Sequence, residues 1–299
     1  MKFMNKIGFI GVGTMGCPMA ANIISKGYDL NFYDPFVKNV NKLKLEKLGG
    51  KYCNSIGSLL EDRDFVITML PNGNNVKEVC LTEDGLLKNN NKNYIYIDMS
   101  TILPSDSISI NDAFKNQNIT MYDAPVARLV NNAIDGTLLI LVGGDKDKFD
   151  TVKPLLETMG SDVVYCGTNG SGSKMKIINN YMSIVSNIVT AETLTLVEKS
   201  GIDLDLAIKL LTTTAAGKGH LNVSYPMKVL KNDVSAGFKN TLALKDLRLA
   251  LEQGSIEGID LNTGKSALKS YEEADKTNYK DLDWTSMFNF IKEKNNILK

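Results

Sequence analysis

The chain has 299 residues, with 34 Lys and Arg against 34 Asp and Glu, so its formal net charge is zero. Proteins that bind nucleic acid or anionic membranes usually carry a basic excess, because neutralising phosphates supplies much of their affinity. We therefore expect neither partner. With 43% hydrophobic and 23% charged residues, the composition is that of a globular protein with one large or two conventional domains.

The cysteines and the histidine limit metal and redox chemistry. The four cysteines are far apart with no Cys-x-x-Cys pair, and His220 is the only histidine, so we expect reduced thiols and no metal site. The apolar stretch near residue 10 is too short for a signal peptide, and no apolar run has the length of a membrane span. These features predict a cytoplasmic protein.

The first half of the chain alternates short β-branched or aromatic runs with longer helical patterns, as in a parallel sheet with crossover helices. After Gly172 the sequence indicates helices with few strand candidates, and the glycine-rich segment 166–172 marks the boundary. The predicted strands are 6–10, 30–33, 65–69, 94–99, 120–126, 138–142 and 163–166. The sequence therefore predicts an α/β domain at residues 1–166 and an all-α domain at 167–299.

A glycine motif follows the first predicted strand. Gly11, Gly13 and Gly16 have G-x-G-x-x-G spacing and precede a helical pattern at 14–26. The first glycine permits a tight turn, the second lets the backbone approach a pyrophosphate, and the third lets the helix pack on the strand. This predicts a Rossmann-type domain that binds a dinucleotide. The expected cofactor contacts are Gly11, Val12, Gly13, Thr14, Met15 and Gly16.

Asp34 ends the next predicted strand. A carboxylate there accepts hydrogen bonds from the adenosine ribose and repels a 2′-phosphate, which favours NAD(H) over NADP(H). The alternative is an aspartate that only caps the turn before Pro35.

Two further strand ends carry unusual residues, in the segments MLPNG and DMST. Ligands of open α/β sheets lie beyond the carboxyl ends of the strands. We therefore expect Met69, Leu70, Pro71 and Thr101 to line the nicotinamide half of the cofactor, with Ser100 beside the substrate. Simple turn chemistry is the alternative for Pro71.

A polar stripe runs along the helix predicted to begin near residue 173. Lys176, Asn179, Asn180 and Ser183 have i, i+3, i+4, i+7 spacing and share one face. The alternative to a cleft wall is an exposed polar stripe. A lysine in a cleft can donate a proton to a carbonyl oxygen as hydride reaches the carbon, with Asn180 fixing its direction.

Six segments, in order, together resemble the β-hydroxyacid dehydrogenase family: GFIGVGTMGCPMA, MLPNG, IDMST, DAPVAR with IDGTL, GSGSKMKIINN and FKNTLALKDL. The resemblance implies Lys176 as catalytic acid/base supported by Asn180, and Thr101 and Lys245 as cofactor contacts. It also implies a helical second domain for substrate binding and dimerisation, in a homodimer or homotetramer.

The chain departs from the family after DAPV, where most members have Ser-Gly-Gly and this sequence has Ala127, Arg128 and Leu129. An arginine here resembles the branch that reduces 3-sulfolactaldehyde to 2,3-dihydroxypropane-1-sulfonate with NADH. Arg128 with Asn179 and Ser183 suits a sulfonate, which has three acceptor oxygens. That branch has Gly before the arginine and Thr after it, and an ion pair is the alternative role for Arg128.

Other readings stay open. The small anionic substrate could instead be 3-hydroxyisobutyrate, succinic semialdehyde or tartronate semialdehyde. An alternative from another functional class is a non-catalytic protein that keeps the Rossmann fold to sense a dinucleotide. The presence of Lys176 with Asn180 argues against this alternative. A decarboxylating enzyme of the 6-phosphogluconate type would need a longer C-terminal region. We expect a structural role for His220.

Overall fold

The structure, a computed structural model, describes residues 5–89 and 94–297. The chain forms two compact units, Met1–Tyr181 and Met182–Lys299. The division falls inside one long helix, and the domain boundary proposed after residue 166 stays a prediction. Among the described residues, no helix combines the length and apolar character needed to cross a membrane.

In the described part of the first unit, nine strands form one sheet with the order β3-β2-β1-β4-β5-β6-β8-β7, and β9 pairs with β8. The strands are β1 Lys6–Ile10, β2 Asp29–Tyr33, β3 Lys51–Tyr52, β4 Phe65–Thr68, β5 Ile95–Asp98, β6 Met121–Asp123, β7 Val126–Ala127, β8 Leu138–Gly143 and β9 Gly160–Gly167. The pairings from β3 to β6 are parallel. β8 is antiparallel to β6 and β7 but parallel to β9.

Helices cover both faces of this sheet. They are α1 Gly16–Ser25, α2 Asn39–Lys47, α3 Ile56–Leu60, α4 Gly73–Leu81, α5 Pro104–Lys115, α6 Val130–Asp135, α7 Phe149–Leu156 and the start of α8 Ser171–Lys199. Successive strand residues point to opposite faces, so Ile7 and Phe9 belong to one buried core and Ile10 to another. Burial on both faces explains why β1, β4 and β8 are apolar over nearly their whole length.

The predicted α/β class is confirmed, with two local differences. The strand predicted at 120–126 is interrupted after Asp123 and forms β6 and β7. Pro125 lies in the interruption and has no N–H to donate to a neighbouring strand. The two-residue strand β3 is too short to give an alternating pattern.

The second unit is helical in its described part, as predicted. Its helices after α8 are α9 Leu204–Leu211, α10 Ala215–Lys218, α11 Ser224–Met227, α12 Asn240–Ile256, α13 Asn262–Asp275 and α14 Met287–Lys294, with 3₁₀ turns at Val229–Lys231, Asn278–Asp281 and Trp284–Ser286. Ala274, Tyr279 and Phe290 form a small core. Asn240 Nδ2 donates to Tyr279 O and Ser286 Oγ, both at 2.9 Å, and ties α12 to it.

Candidate functional site

The three glycines of the loop between β1 and α1 have different surroundings. Gly11 has a φ of 91°, and a Cβ there would lie 2.4 Å from Met69 O. A Cβ at Gly16 would lie 1.9 Å from Gly11 O, because α1 packs tightly against the loop. At Gly13, by contrast, a Cβ would meet no described atom within 4 Å. The loop therefore leaves backbone open at Gly13, as close approach of a pyrophosphate requires.

A cavity of about 750 Å³ opens in front of this loop. Gly11, Gly13, Thr14, Met15, Gly16, Asp34, Met69, Leu70 and Pro71 line it, all predicted cofactor contacts. The cavity is also lined by residues outside the predicted motifs, namely Tyr33, Phe36, Ile56, Asn75, Glu78 and Val79. Its volume is within the range of ligand sites, and the residues present fit a dinucleotide.

Asp34 is engaged by the backbone on both sides. Its Oδ2 accepts from Val12 N at 3.0 Å, and its Oδ1 accepts from Phe36 N at 2.8 Å. Asn41 Nδ2 donates to Val12 O at 2.8 Å, so the N–H and the C=O of Val12 are both bound by side chains. The turn-capping alternative is thus present in the structure. Each carboxylate oxygen has a second lone pair, which leaves acceptors for ribose hydroxyls.

The ends of β4 and β5 are joined through buried side chains. Asp98 Oδ1 accepts from Thr68 Oγ1 at 2.8 Å and from Ser100 N at 3.2 Å, and burial raises the pKa of Asp98. Ser100 Oγ accepts from Leu70 N at 2.9 Å. Ser100 is only 1% exposed, so its hydroxyl supports the Met69–Pro71 loop. Its contact with substrate stays a prediction.

Thr101 lies near the helix that carries the predicted catalytic lysine. A second cavity of about 340 Å³ is bordered by Thr101, Asn72, Asp106 and Ile177, the residue after Lys176. The structure therefore brings the strand end that carries Thr101 and the first turns of α8 to one cavity.

The predicted polar stripe on α8 is unevenly exposed. Lys176 and Asn180 are half-buried, whereas Asn179 and Ser183 are exposed. Asn179 Nδ2 donates to Asn180 Oδ1 at 3.3 Å. Burial lowers the pKa of Lys176 below the ordinary lysine value of 10.5. A lowered pKa makes a lysine a better proton donor and acceptor near neutral pH.

Arg128 lies between β7 and α6 and is exposed. Its Nη1 donates to Thr137 O at 2.6 Å and to Ser161 Oγ at 2.9 Å, and its Nη2 donates to Asp162 Oδ2 at 2.7 Å. The ion pair considered as an alternative is thus present. Three of the five guanidinium N–H groups are used here. The neighbouring Ala127 is buried and Leu129 is 76% exposed.

Lys245 and His220 belong to the second unit. Lys245 lies on α12 with Nζ 2.9 Å from Asp246 Oδ1. His220 Nδ1 lies 3.3 Å from Ser224 Oγ, and its ring packs edge-on against Trp284 with centroids 4.7 Å apart. The structural role of His220 and the cofactor contact of Lys245 both stay predictions.

Comparison with known proteins follows the same two-part organisation. Residues 6–167 match the family model of the NAD-binding domain of 6-phosphogluconate dehydrogenase, and residues 170–291 match the NAD-binding model of NADP-dependent 3-hydroxyisobutyrate dehydrogenase. The 3-sulfolactaldehyde reductase of Escherichia coli (strain K12) is 36% identical over 97% of this chain and 96% of its own. The chain belongs to the 3-hydroxyisobutyrate dehydrogenase family.

Other members of the 3-hydroxyisobutyrate dehydrogenase family are similar to nearly the same degree. The mitochondrial 3-hydroxyisobutyrate dehydrogenase of Mus musculus is 35% identical, over 98% of this chain and 89% of its own. A solved structure of the Mycobacterium tuberculosis 3-hydroxyisobutyrate dehydrogenase with L-serine has a TM-score of 0.66 at 28% identity, over 97% of this chain and 99% of its own. The resemblance predicted from the motifs is confirmed.

Membership of the family gives the class of reaction. The chain is an NAD-dependent oxidoreductase of the β-hydroxyacid dehydrogenase type, and its cofactor is NAD(H). The cavity at the glycine loop is where the described residues fit that cofactor. Relatives that are named for different substrates are almost equally identical to this chain, so the degree of identity does not distinguish between those substrates.

Proposed function

We propose that this protein is an NADH-dependent reductase that converts 3-sulfolactaldehyde to 2,3-dihydroxypropane-1-sulfonate. The observation that carries the proposal is Arg128, a guanidinium at a position where the family generally has glycine. The extent of the match to the E. coli 3-sulfolactaldehyde reductase, 97% of the chain at 36% identity, supports it.

In the proposed reaction the residues of α8 handle the proton. When bound, NADH supplies the hydride that reduces the aldehyde carbon to an alcohol. Lys176 in its ammonium form donates the proton to the carbonyl oxygen, and its lowered pKa eases that transfer. Asn180, one helical turn further on, fixes the direction of the ammonium group. Reprotonation from solvent restores Lys176 for the next turnover.

Arg128 is proposed to hold the anionic end of the substrate together with Asn179 and Ser183. In the described structure Nε and one N–H of Nη2 are not used by Thr137, Ser161 or Asp162. Two guanidinium donors match two oxygens of a sulfonate or carboxylate. The ion pair with Asp162 would then orient the guanidinium toward the substrate.

A second candidate is 3-hydroxyisobutyrate or a related carboxylate, with succinic and tartronate semialdehyde included. It is favoured by Leu129, an exposed apolar side chain where the sulfolactaldehyde branch has threonine. The nearly equal identity of the mouse 3-hydroxyisobutyrate dehydrogenase agrees with it. Both candidates keep the same roles for Lys176 and the cofactor.

The deciding experiment measures kcat/KM for 3-sulfolactaldehyde and the three carboxylate substrates with the full chain and NAD(H). We expect sulfolactaldehyde to give the highest value, and a higher value for a carboxylate would assign the second candidate. Lys176→Ala should lose about 10²-fold or more in kcat yet retain NADH binding by fluorescence titration. Unchanged turnover in this variant would contradict the role of Lys176.

Two variants separate the proposed roles of Arg128. Arg128→Met should raise KM for the anionic substrate about 10- to 100-fold, as expected for one charge-assisted contact, with little effect on KM for NADH. Asp162→Asn is the matched control, since it removes the ion pair but leaves the guanidinium in place. If Asp162→Asn reproduces the whole effect, Arg128 has a structural role.

We also propose a homo-oligomer, on the evidence of α8. Ile178, Tyr181 and Ile184 are 60%, 72% and 64% exposed along this helix. Large contiguous apolar surfaces on soluble proteins are commonly interaction sites, and a second copy of the chain is the proposed partner.

A further inference from the structure

A buried carboxylate joins the sheet to the helix that carries Lys176. Asp123, the last residue of β6, has no exposed surface. Its Oδ1 accepts from Gly170 N and its Oδ2 accepts from Ser173 N, both at 2.7 Å. The carboxylate thus binds one N–H just before α8 and one in its first turn. These N–H groups have no acceptor within a helix.

The surroundings leave little room for this junction to move. A Cβ at Gly143 would lie 2.5 Å from Asp123 Oδ1 and 2.9 Å from Gly172 N. A Cβ at Gly172 would lie 2.2 Å from Leu141 O and 2.7 Å from Asp123 O. Asn169 Nδ2 donates to Met121 O at 2.8 Å, a second link between the loop and β6. Glycine at 143 and 172 is what lets the strands and the helix start approach so closely.

The negative charge of Asp123 is stabilised by its position at the start of α8. The N-terminus of a helix carries partial positive charge, which stabilises a carboxylate there. Burial raises the pKa of Asp123 to about 6, while the hydrogen bonds from Ser173 and Gly170 act in the opposite direction. At neutral pH and above, Asp123 is therefore mainly ionised and both of its oxygens accept.

Lys176 follows Ser173 by three residues, less than one turn of the same helix. Any shift or rotation of the helix start therefore moves the Lys176 ammonium group by a similar amount. A displacement of about 1 Å at a reacting group can cost about 10²-fold in rate. We propose that Asp123 is a positioning residue for catalysis, which sets the location of Lys176 by fixing the first turn of α8. The inference rests on the role proposed for Lys176.

The test compares two buried carboxylates. Asp64 is the matched control, because it is 7% exposed and its Oδ2 accepts from Asn5 N at 2.9 Å and Lys6 N at 3.0 Å. It directly precedes β4, whereas the cofactor loop follows the carboxyl end of the parallel neighbour β1, so the two lie at opposite ends of the strands. Asp123→Asn places an amide NH₂ group where a carboxylate oxygen accepted, whereas the amide oxygen of Asp64→Asn can still accept from both Asn5 N and Lys6 N. Both variants remove the charge that strengthens these hydrogen bonds, so both should lower the thermal stability.

Only Asp123→Asn should affect the chemical step. We expect its kcat to fall about tenfold or more on the best substrate of the wild type, while KM for NADH changes less than about twofold. Asp64→Asn should keep kcat within about twofold. Hydrogen exchange should become faster at the Gly170 and Ser173 amides in Asp123→Asn alone. If this variant does not fold, Asp123→Glu, which keeps the charge but moves the carboxylate, should show the same loss of kcat.

The outcomes separate this inference from the proposed function. An active wild type with equal kcat for Asp123→Asn and Asp64→Asn overturns the positioning role only. Unchanged exchange at Gly170 and Ser173 also overturns it. A wild type with no turnover on any substrate of the panel overturns the proposed function, and the positioning role of Asp123 with it.

Discussion

Cofactor selection depends on Asp34, and the perturbation that tests it is Asp34→Ala. This substitution removes the acceptors of Val12 N and Phe36 N and those proposed for the ribose. Its effect therefore has two parts, a loss of loop order that affects both cofactors and a loss of charge that distinguishes them. Only the second part changes the ratio of kcat/KM with NADH to kcat/KM with NADPH.

The magnitude follows from the contacts. Hydrogen bonds to a charged group contribute about 1.5–3 kcal/mol, so losing those to the ribose should lower kcat/KM with NADH about 10- to 100-fold. For NADPH, a carboxylate about 4 Å from a phosphate charge costs about 4 kcal/mol near a protein surface. Salt and the half-exposed position of Asp34 reduce this substantially. Relief of the repulsion should then raise kcat/KM with NADPH about tenfold relative to a loop-only defect.

Steady-state assays with both cofactors on wild type, Asp34→Ala and Asn41→Ala separate the two parts. Asn41→Ala frees the backbone oxygen of the same residue, Val12, by removing the 2.8 Å bond from Asn41 Nδ2, but it leaves the Asp34 carboxylate. It should lower activity with both cofactors by the same factor. We expect a higher kcat/KM with NADH than with NADPH for the wild type, and a smaller ratio of the two values for Asp34→Ala. A wild type that prefers NADPH, or an Asp34→Ala variant with an unchanged ratio, would refute the assignment.

Two further predictions concern α8. Reduction needs Lys176 protonated and oxidation needs it neutral. With rising pH, kcat/KM for reduction should therefore fall through a pKa below 10.5, and kcat/KM for oxidation should rise through the same pKa. If kcat/KM for reduction does not change up to pH 10.5, the assignment of Lys176 is wrong. Ile184→Asp places a charge on the apolar surface of α8 and should therefore shift the molar mass measured by light scattering toward that of the monomer. The control is Ser186→Asp, at an exposed polar position of the same helix, which should leave the molar mass unchanged. A wild type that is already monomeric would refute the proposed oligomer.

Local signals were sufficient to predict the α/β class of the first unit and the glycine loop after its first strand. Strands such as β1 are buried on both faces and flanked by glycine, and the strand, loop and helix adjoin in sequence. The contacts that the motifs did not predict join residues that are far apart in the sequence. Asp123 binds N–H groups 47 and 50 residues further along the chain. An aspartate at a strand end has no pattern that reveals such partners before the chain is folded.

In the candidate site, too, some contacts could not be predicted from the sequence, although the residues involved are closer together along the chain. The motifs indicated Asp34 and the Met69–Pro71 loop, but Asn41 was missed because it is one of several asparagines in a polar helix. Ser100 was expected at the substrate, and its burial and its bond to Leu70 N became visible only once β4 and β5 were paired. The role of a hydroxyl thus depended on its neighbour in the sheet.

The backbone of Arg128 has consequences for how this loop can change over generations. Its φ of 80° lies in the left-handed region, where a side chain other than glycine costs about 1–2 kcal/mol. A half-exposed ion pair with Asp162 offsets little of that cost. A mutation from glycine to arginine at this position is therefore tolerated only in a chain with surplus folding stability. The stability cost of this backbone conformation thus acts beside the chemistry of the pocket in limiting which residues this position can acquire.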